Sequence, residues 1–174
     1  MPILEMRARD SRLAPLGEVR GAIMATNSVL DVAAYILRQR GPMSAMKLQK
    51  LVYYTQAGSL MWDGKPLFKE EIKAWANGPV VPELFQYHRG VYEVTQETLR
   101  EGDASKLDST QAETVDAVLR QYGDKSPQWL SDLSHSQAPW RDAYGNRPAG
   151  MRCNETISLD SIEAYYSSLM PDEE

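Results

Sequence analysis

Two histidines, one cysteine and a pair of lysines are the side chains of this sequence that suggest chemistry. His135 stands in Leu133-Ser134-His135-Ser136-Gln137-Ala138-Pro139-Trp140, with a hydroxyl on either side. A hydroxyl activated by an imidazole is the core of nucleophilic acyl transfer. Neighbours in sequence point to different sides of a helix, however, and no glycine-rich elbow presents either serine. The expected role of His135 is therefore structural, bonding a backbone carbonyl near a helix end; a hydrolase using His135 is the alternative. Cys153 lies between Arg152 and Asn154. A nearby cation lowers a thiol's pKa, but with no histidine close in sequence an incidental thiol is expected. One cysteine and two separated histidines do not assemble a zinc site, so neither metal nor cofactor is expected. Adjacent carboxylates such as Glu70-Glu71 diverge and read as a solvated face.

Lys47 and Lys50 are three apart and share a helix face, with Tyr54 four residues beyond. They suit an acidic partner or nucleic acid. Lysines near a helix start are usually solvated, so an exposed edge paired with Glu70 or Glu71 is the expectation. The aromatics lean toward rings with a polar handle: four Trp and nine Tyr against two Phe. Such rings suit positions half in a core and half at an interface.

These residues sit in a chain of 174 residues, enough for one domain with a real core. Its formal net charge of -5 opposes a phosphate backbone, so no nucleic-acid partner is expected. A single cysteine leaves no intramolecular disulfide and suits a reducing compartment. No run of 18 apolar residues offers a membrane span, and charges at Glu5, Arg7, Arg9, Asp10 and Arg12 break any signal-peptide pattern. A cytoplasmic protein is expected.

Residues 1–23 lack a sustained period and read as a loose arm, or as an extension upstream of a true start at Met24. Ser28 with Asp31 is a capping signal, opening a helix that Gly41-Pro42 ends. Ser44 caps a second helix, roughly 45–62, apolar on most sides and hence central. Gly58 inside it marks a close helix crossing. Asp63-Gly64-Lys65-Pro66 is a turn, and 71–76 alternates as a strand. Asn77-Gly78-Pro79 breaks that strand before a helix opened by Pro82 and Glu83. Residues 91–99 are expected to supply a second strand pairing with the first. Asp108 with Gln111 starts another helix, Ser126-Pro127 a shorter one, 136–156 reads as irregular, and Ser158 opens the last helix. A mainly α fold with a small β-hairpin or ribbon follows.

Several strings in order resemble a known family. They are Leu48-Gln49-Lys50-Leu51 with Tyr53-Tyr54-Gln56, Gly64-Lys65-Pro66-Leu67-Phe68, Ala74-Trp75 and Asn77-Gly78-Pro79-Val80-Val81-Pro82-Glu83-Leu84. Tyr122-Gly123, Trp129-Leu130, His135 with Pro139-Trp140, Ile157 and Tyr165-Tyr166 complete the set. Over about residues 27–170 the chain resembles the SocA-like or GepA-like Panacea-domain antitoxins of bacteria and phages. Ser134 stands where that family carries threonine, and Tyr144 where arginine is frequent.

The resemblance implies a small, mainly helical domain over 24–170, followed by a tail at 171–174. It implies neutralisation of a cognate protein toxin, encoded next door, by direct contact; one branch instead hands its toxin to a ClpXP-type protease. It supplies no catalytic residues. It implies structural roles for Leu48, Gln49, Trp75, Gly78, Pro79, Trp129, His135, Pro139 and Trp140. The expected contact surface runs over 78–90 with its neighbours: Lys47, Lys50, Tyr54, Asn77, Pro79, Tyr87 and His88.

Overall fold

Ser28 sets the first helix. In the computed structural model of the chain, which describes residues 27–171, Ser28 Oγ accepts from the Leu30 N–H and Asp31 accepts from the Ser28 N–H. This closes a capping box on α1 (Val29–Arg40). Glu70 adds a cap from a distant loop, both carboxylate oxygens accepting from the Val29 N–H at 3.1 and 2.9 Å. Burial raises the Glu70 pKa above the usual carboxylate range, against the pull of that amide. The expected arm at 1–23 and the tail beyond Pro171 lie outside the described residues.

A two-residue strand, β1 (Met43–Ser44), leads into α2 (Ala45–Gly58), where Ser44 accepts from the Lys47 N–H. Every residue from Leu48 through Gly58 is buried, so α2 is the central helix its all-round apolar pattern predicts. It runs on into a π-helical turn, Ser59–Asp63, which Gly64 ends in the left-handed region. The other elements pack around it: β2 (Ile72–Trp75), β3 (Gly78–Val80), α3 (Pro82–His88), β4 (Glu93–Val94), α4 (Ser109–Tyr122), α5 (Pro127–Ser136), α6 (Ala138–Tyr144), β5 (Thr156–Ile157) and α7 (Leu159–Ser168). Gly58 marks the crossing with α4, because a Cβ there would lie 3.2 Å from Val118 Cγ2 and 2.7 Å from the Trp62 ring. Asp108 and Gln111 close a second capping box on α4. Among the described residues no helix is long and apolar enough to cross a membrane.

The strand pairing differs from the sequence expectation. β2 pairs antiparallel with β3 on one side and with β5 on the other, in the order β3-β2-β5. β4, inside the segment expected to pair with β2, joins β1 instead, Met43 opposite Val94. Asn77-Gly78 turns the chain rather than ending the sheet: Gly78 has φ +114, so β3 folds straight back on β2, with Trp75 opposite Gly78. The region read as irregular also holds α6, whose Pro139 occupies the first turn.

Candidate functional site

The geometry of α2 places Gln49 and Gln56 seven residues apart, two turns along one face. Each acts on an extended segment as a neighbouring strand would. Gln56 Oε1 accepts from Leu67 N–H (2.7 Å) and Phe68 N–H (3.3 Å), while its Nε2 donates to Phe68 O (3.0 Å). Gln49 Oε1 accepts from Val81 N–H (2.9 Å), and its Nε2 donates toward Val81 O (3.3 Å).

Gln49 Nε2 also lies 2.9 Å from His88 Nε2. The Val81 N–H needs an acceptor, which fixes Oε1 in that position and leaves Nε2 as donor. His88 Nε2 is then the acceptor and the neutral ring carries its proton on Nδ1. Burial lowers the His88 pKa in the same direction.

Beside Gln49, Lys50 is buried to 1% exposure. Its Nζ donates to Pro79 O at 3.1 Å. An ammonium has three protons to donate, and among the described residues no carboxylate pairs with this one. Desolvation lowers its pKa to about 8. Gly78 makes room for the stem: a Cβ there would fall 2.8 Å from Lys50 Cε. The solvated edge paired with Glu70 or Glu71 is thus corrected. Glu70 caps α1 and Glu71 meets Lys73 at 3.3 Å, while the β2–β3 hairpin covers Lys50.

Gln49, Lys50 and His88 line one side of a half-open groove of about 890 Å³. Trp75 and Val80 of the hairpin and Phe85 of α3 form apolar walls, and Arg152, Cys153 and Asn154 approach from the opposite segment. Trp75 stands edge-on to Phe85 with centroids 5.2 Å apart and donates its indole N–H to Asn154 Oδ1. Cys153 is a buried free thiol in this lining.

The turn at one side of the groove is clamped from behind. Trp140 Nε1 donates to Trp75 O (2.8 Å), His135 Nε2 meets Ala76 O (3.0 Å) and Ser131 Oγ donates to Asn77 O (3.0 Å). Successive carbonyls of one turn are therefore each held by a side chain of α5 or α6. His135 Nδ1 faces Ser131 O at 2.7 Å, so both ring nitrogens meet carbonyl oxygens. The nearby hydroxyls are engaged as well: Ser131 Oγ, 3.4 Å from His135 Nδ1, donates to Asn77 O, Ser134 Oγ to Ser131 O and Ser136 Oγ to Leu133 O. A general base needs a free lone pair at a hydroxyl; this histidine is a clamp.

The residues expected at a contact surface separate. Asn77 and Tyr87 are exposed and Lys47 half-buried, while Lys50, Pro79 and His88 are buried. Tyr54 is in the core, its hydroxyl donating to Gln137 Oε1 at 2.8 Å. Trp129 is half-buried against Tyr122, and Leu48 is core. Sequence reasoning missed Arg152 and Asn154 as groove residues, and missed Gln137 altogether as a buried acceptor. The Arg152-Cys153-Asn154 string was visible, but nothing local connects it to Trp75.

Comparison with known proteins bears on this arrangement. The family model described as antitoxin SocA-like, Panacea domain, matches residues 48–141, from the α2 glutamine motif to the α6 clamp. The chain is 30% identical over 148 residues to Antitoxin SocA of Caulobacter vibrioides (strain NA1000 / CB15N), covering 75% of this chain and 77% of that one. No solved structure matches significantly. The matched span holds the α2, hairpin and α3 residues of the groove and the α5 and α6 side chains that brace it, while Arg152, Cys153 and Asn154 lie outside it, and the chain belongs to the SocA-like Panacea-domain family of antitoxins.

Proposed function

We propose that this chain, through its 24–170 domain, neutralises a cognate protein toxin by direct, stoichiometric binding. The observation that carries the reading is the groove beside α2: apolar aromatic walls on a hairpin braced by three side-chain hydrogen bonds. A rigid concavity with aromatic anchors suits protein recognition. Of its ionisable members, Lys50 is held by Pro79 O and His88 by Gln49, rather than arranged as nucleophile and base. Family membership likewise argues against catalysis.

Co-expression with the neighbouring gene tests this. The expected outcome is rescue of growth together with co-purification of both proteins. A toxic neighbour that this chain neither rescues nor retains defeats the proposal. A toxin whose half-life shortens only when the chain and a ClpXP-type protease are both present identifies an adaptor instead.

A further inference from the structure

We infer that the groove beside α2 is the toxin-docking site, and that it receives an extended segment bearing a carboxylate between apolar side chains, with the carboxylate on Lys50 Nζ. This deepens the antitoxin reading and rests on it.

The first observation is Lys50 itself. A buried ammonium whose bonding stops at one carbonyl, Pro79 O, retains two N–H groups without acceptors among the described residues. Buried cations are otherwise paired or well bonded. Charge distribution is the second. The protein holds 24 Asp and Glu against 19 Lys and Arg, yet the groove lining contains Lys50 and Arg152 and no acidic residue. In an acidic protein, a cleft with only cations selects an anion.

Apolar exposure is the third. Of the large hydrophobics exposed among the described residues, Met46 (36%) and Val91 (39%) line the groove. Tyr92 and Met151, 86% and 49% exposed, are direct chain neighbours of lining residues, whereas Tyr87 turns its hydroxyl toward Glu101. Exposed apolar side chains gathered at one place mark an interaction surface. With Trp75 and Phe85 as walls, the occupant carries apolar side chains beside its acid. A toxin segment offers both without any modification, and the Lys50 charge then gains the partner that its own chain withholds.

The test uses acetyl-Leu-Asp-Phe-amide and acetyl-Leu-Asn-Phe-amide as probes, titrated to millimolar concentration into ¹⁵N-labelled full-length protein while the Trp75 indole N–H is followed. The Asp peptide is expected to shift that signal and to bind roughly tenfold more tightly than the Asn peptide. Lys50→Met is expected to abolish the discrimination, and Arg152→Glu, at an exposed site, to reduce it. Equal binding of the two peptides, no shift with either, or discrimination retained in both variants overturns the inference. Should Lys50→Met fail to fold, Arg152→Glu carries the test alone. Co-expression separates the two levels. If the wild type rescues and both variants rescue and co-purify equally well, the groove inference falls and the antitoxin reading stands. If the wild type itself fails to rescue, the antitoxin reading falls instead.

Discussion

The two ends of α2 solve the same problem differently. Toward its C-terminal end Gln56 is held by Leu67 and Phe68 on both its oxygen and its nitrogen, and Tyr53, Tyr54, Tyr166 and Gln137 bond one another in a layer closed to solvent, in which Gln137 Nε2 alone lacks a partner among the described residues. Toward its N-terminal end Gln49 shares its amide between Val81 and His88, and Lys50 keeps donors in reserve beside a groove. A buried polar group that its own chain satisfies adds specificity to the fold. One left partly satisfied at a cleft is a liability to the isolated chain and an asset only when something binds. On the proposed reading, one end of the helix serves stability and the other recognition.

The largest expected effect breaks the closed end. Gln56→Ala removes three hydrogen bonds and strands two N–H groups and a carbonyl of Leu67 and Phe68, both fully buried. At about 1–3 kcal/mol for each stranded group, partly relieved by relaxation, a loss of about 3–5 kcal/mol is expected. Gln49→Ala strands the Val81 N–H and carbonyl and takes the donor from His88 Nε2; His88 lines the half-open groove, where water can replace part of what is lost, so this variant is expected to cost about half as much. Urea denaturation of both variants measures this. Equal losses would mean that the two ends are equally closed.

Next comes Lys50→Met, with the opposite sign. Replacing a buried, underpartnered charge by an apolar side chain of similar length is expected to stabilise the protein by about 1–3 kcal/mol at pH 7. The pH profile gives the mechanism. Burial brings the folded pKa to about 8, below the 10.5 of an ordinary lysine, so the unfolded chain binds more protons in that window and stability rises with pH. The rise is best seen between pH 8 and 10. Above that, tyrosines ionise in the unfolded chain while Tyr54 and Tyr166 resist ionisation in the folded one, which pulls stability down again. The difference between wild type and Lys50→Met should therefore shrink steadily from pH 8 to 10. A constant difference would show that Lys50 is not desolvated.

The contrast between the ends also explains what could be read beforehand. The caps at Ser28, Ser44, Asp108, Ser126 and Ser158 depend on residues two or three positions away, and each is found where its signal stands. The all-round apolar pattern of α2 identified the central helix. Strand pairing was not legible, because β1, β4 and β5 have two residues each and too few positions for alternation to register. Lys50 was misplaced for a related reason. Its burial is decided by Gly78, 28 residues further on, whose missing Cβ lets the hairpin close over the lysine stem. His135 was legible as a structural histidine, but its acceptor Ala76 O, 59 residues away, was not.

His88 offers a smaller, acid-side test. Burial holds its pKa below the usual 6.5, so its contribution to stability is fully present above pH 6.5 and is lost as pH falls through the lowered folded value. His88→Gln keeps an acceptor for Gln49 without a titrating group. Its stability relative to wild type should rise as pH drops from 6.5 to 5, measured by thermal midpoint; no change would place His88 in a solvated setting.

The smallest effect returns to the closed end. Tyr53→Phe removes one hydroxyl, 3.1 Å from Tyr166 OH. Tyr166 still donates to Gln137 Oε1, which also still accepts from Tyr54. No other group is stranded, so the expected loss is only about 0.5–1.5 kcal/mol by urea denaturation. Its value lies in what should not change. The ring keeps its edge contact with Tyr54, the backbone of α2 stays in place, and affinity for the acidic peptide should equal that of wild type. If Tyr53→Phe weakened binding as much as Lys50→Met, the layer around Gln137 and the groove would form one coupled unit, and the division of α2 into a stabilising and a recognising end would have to be abandoned.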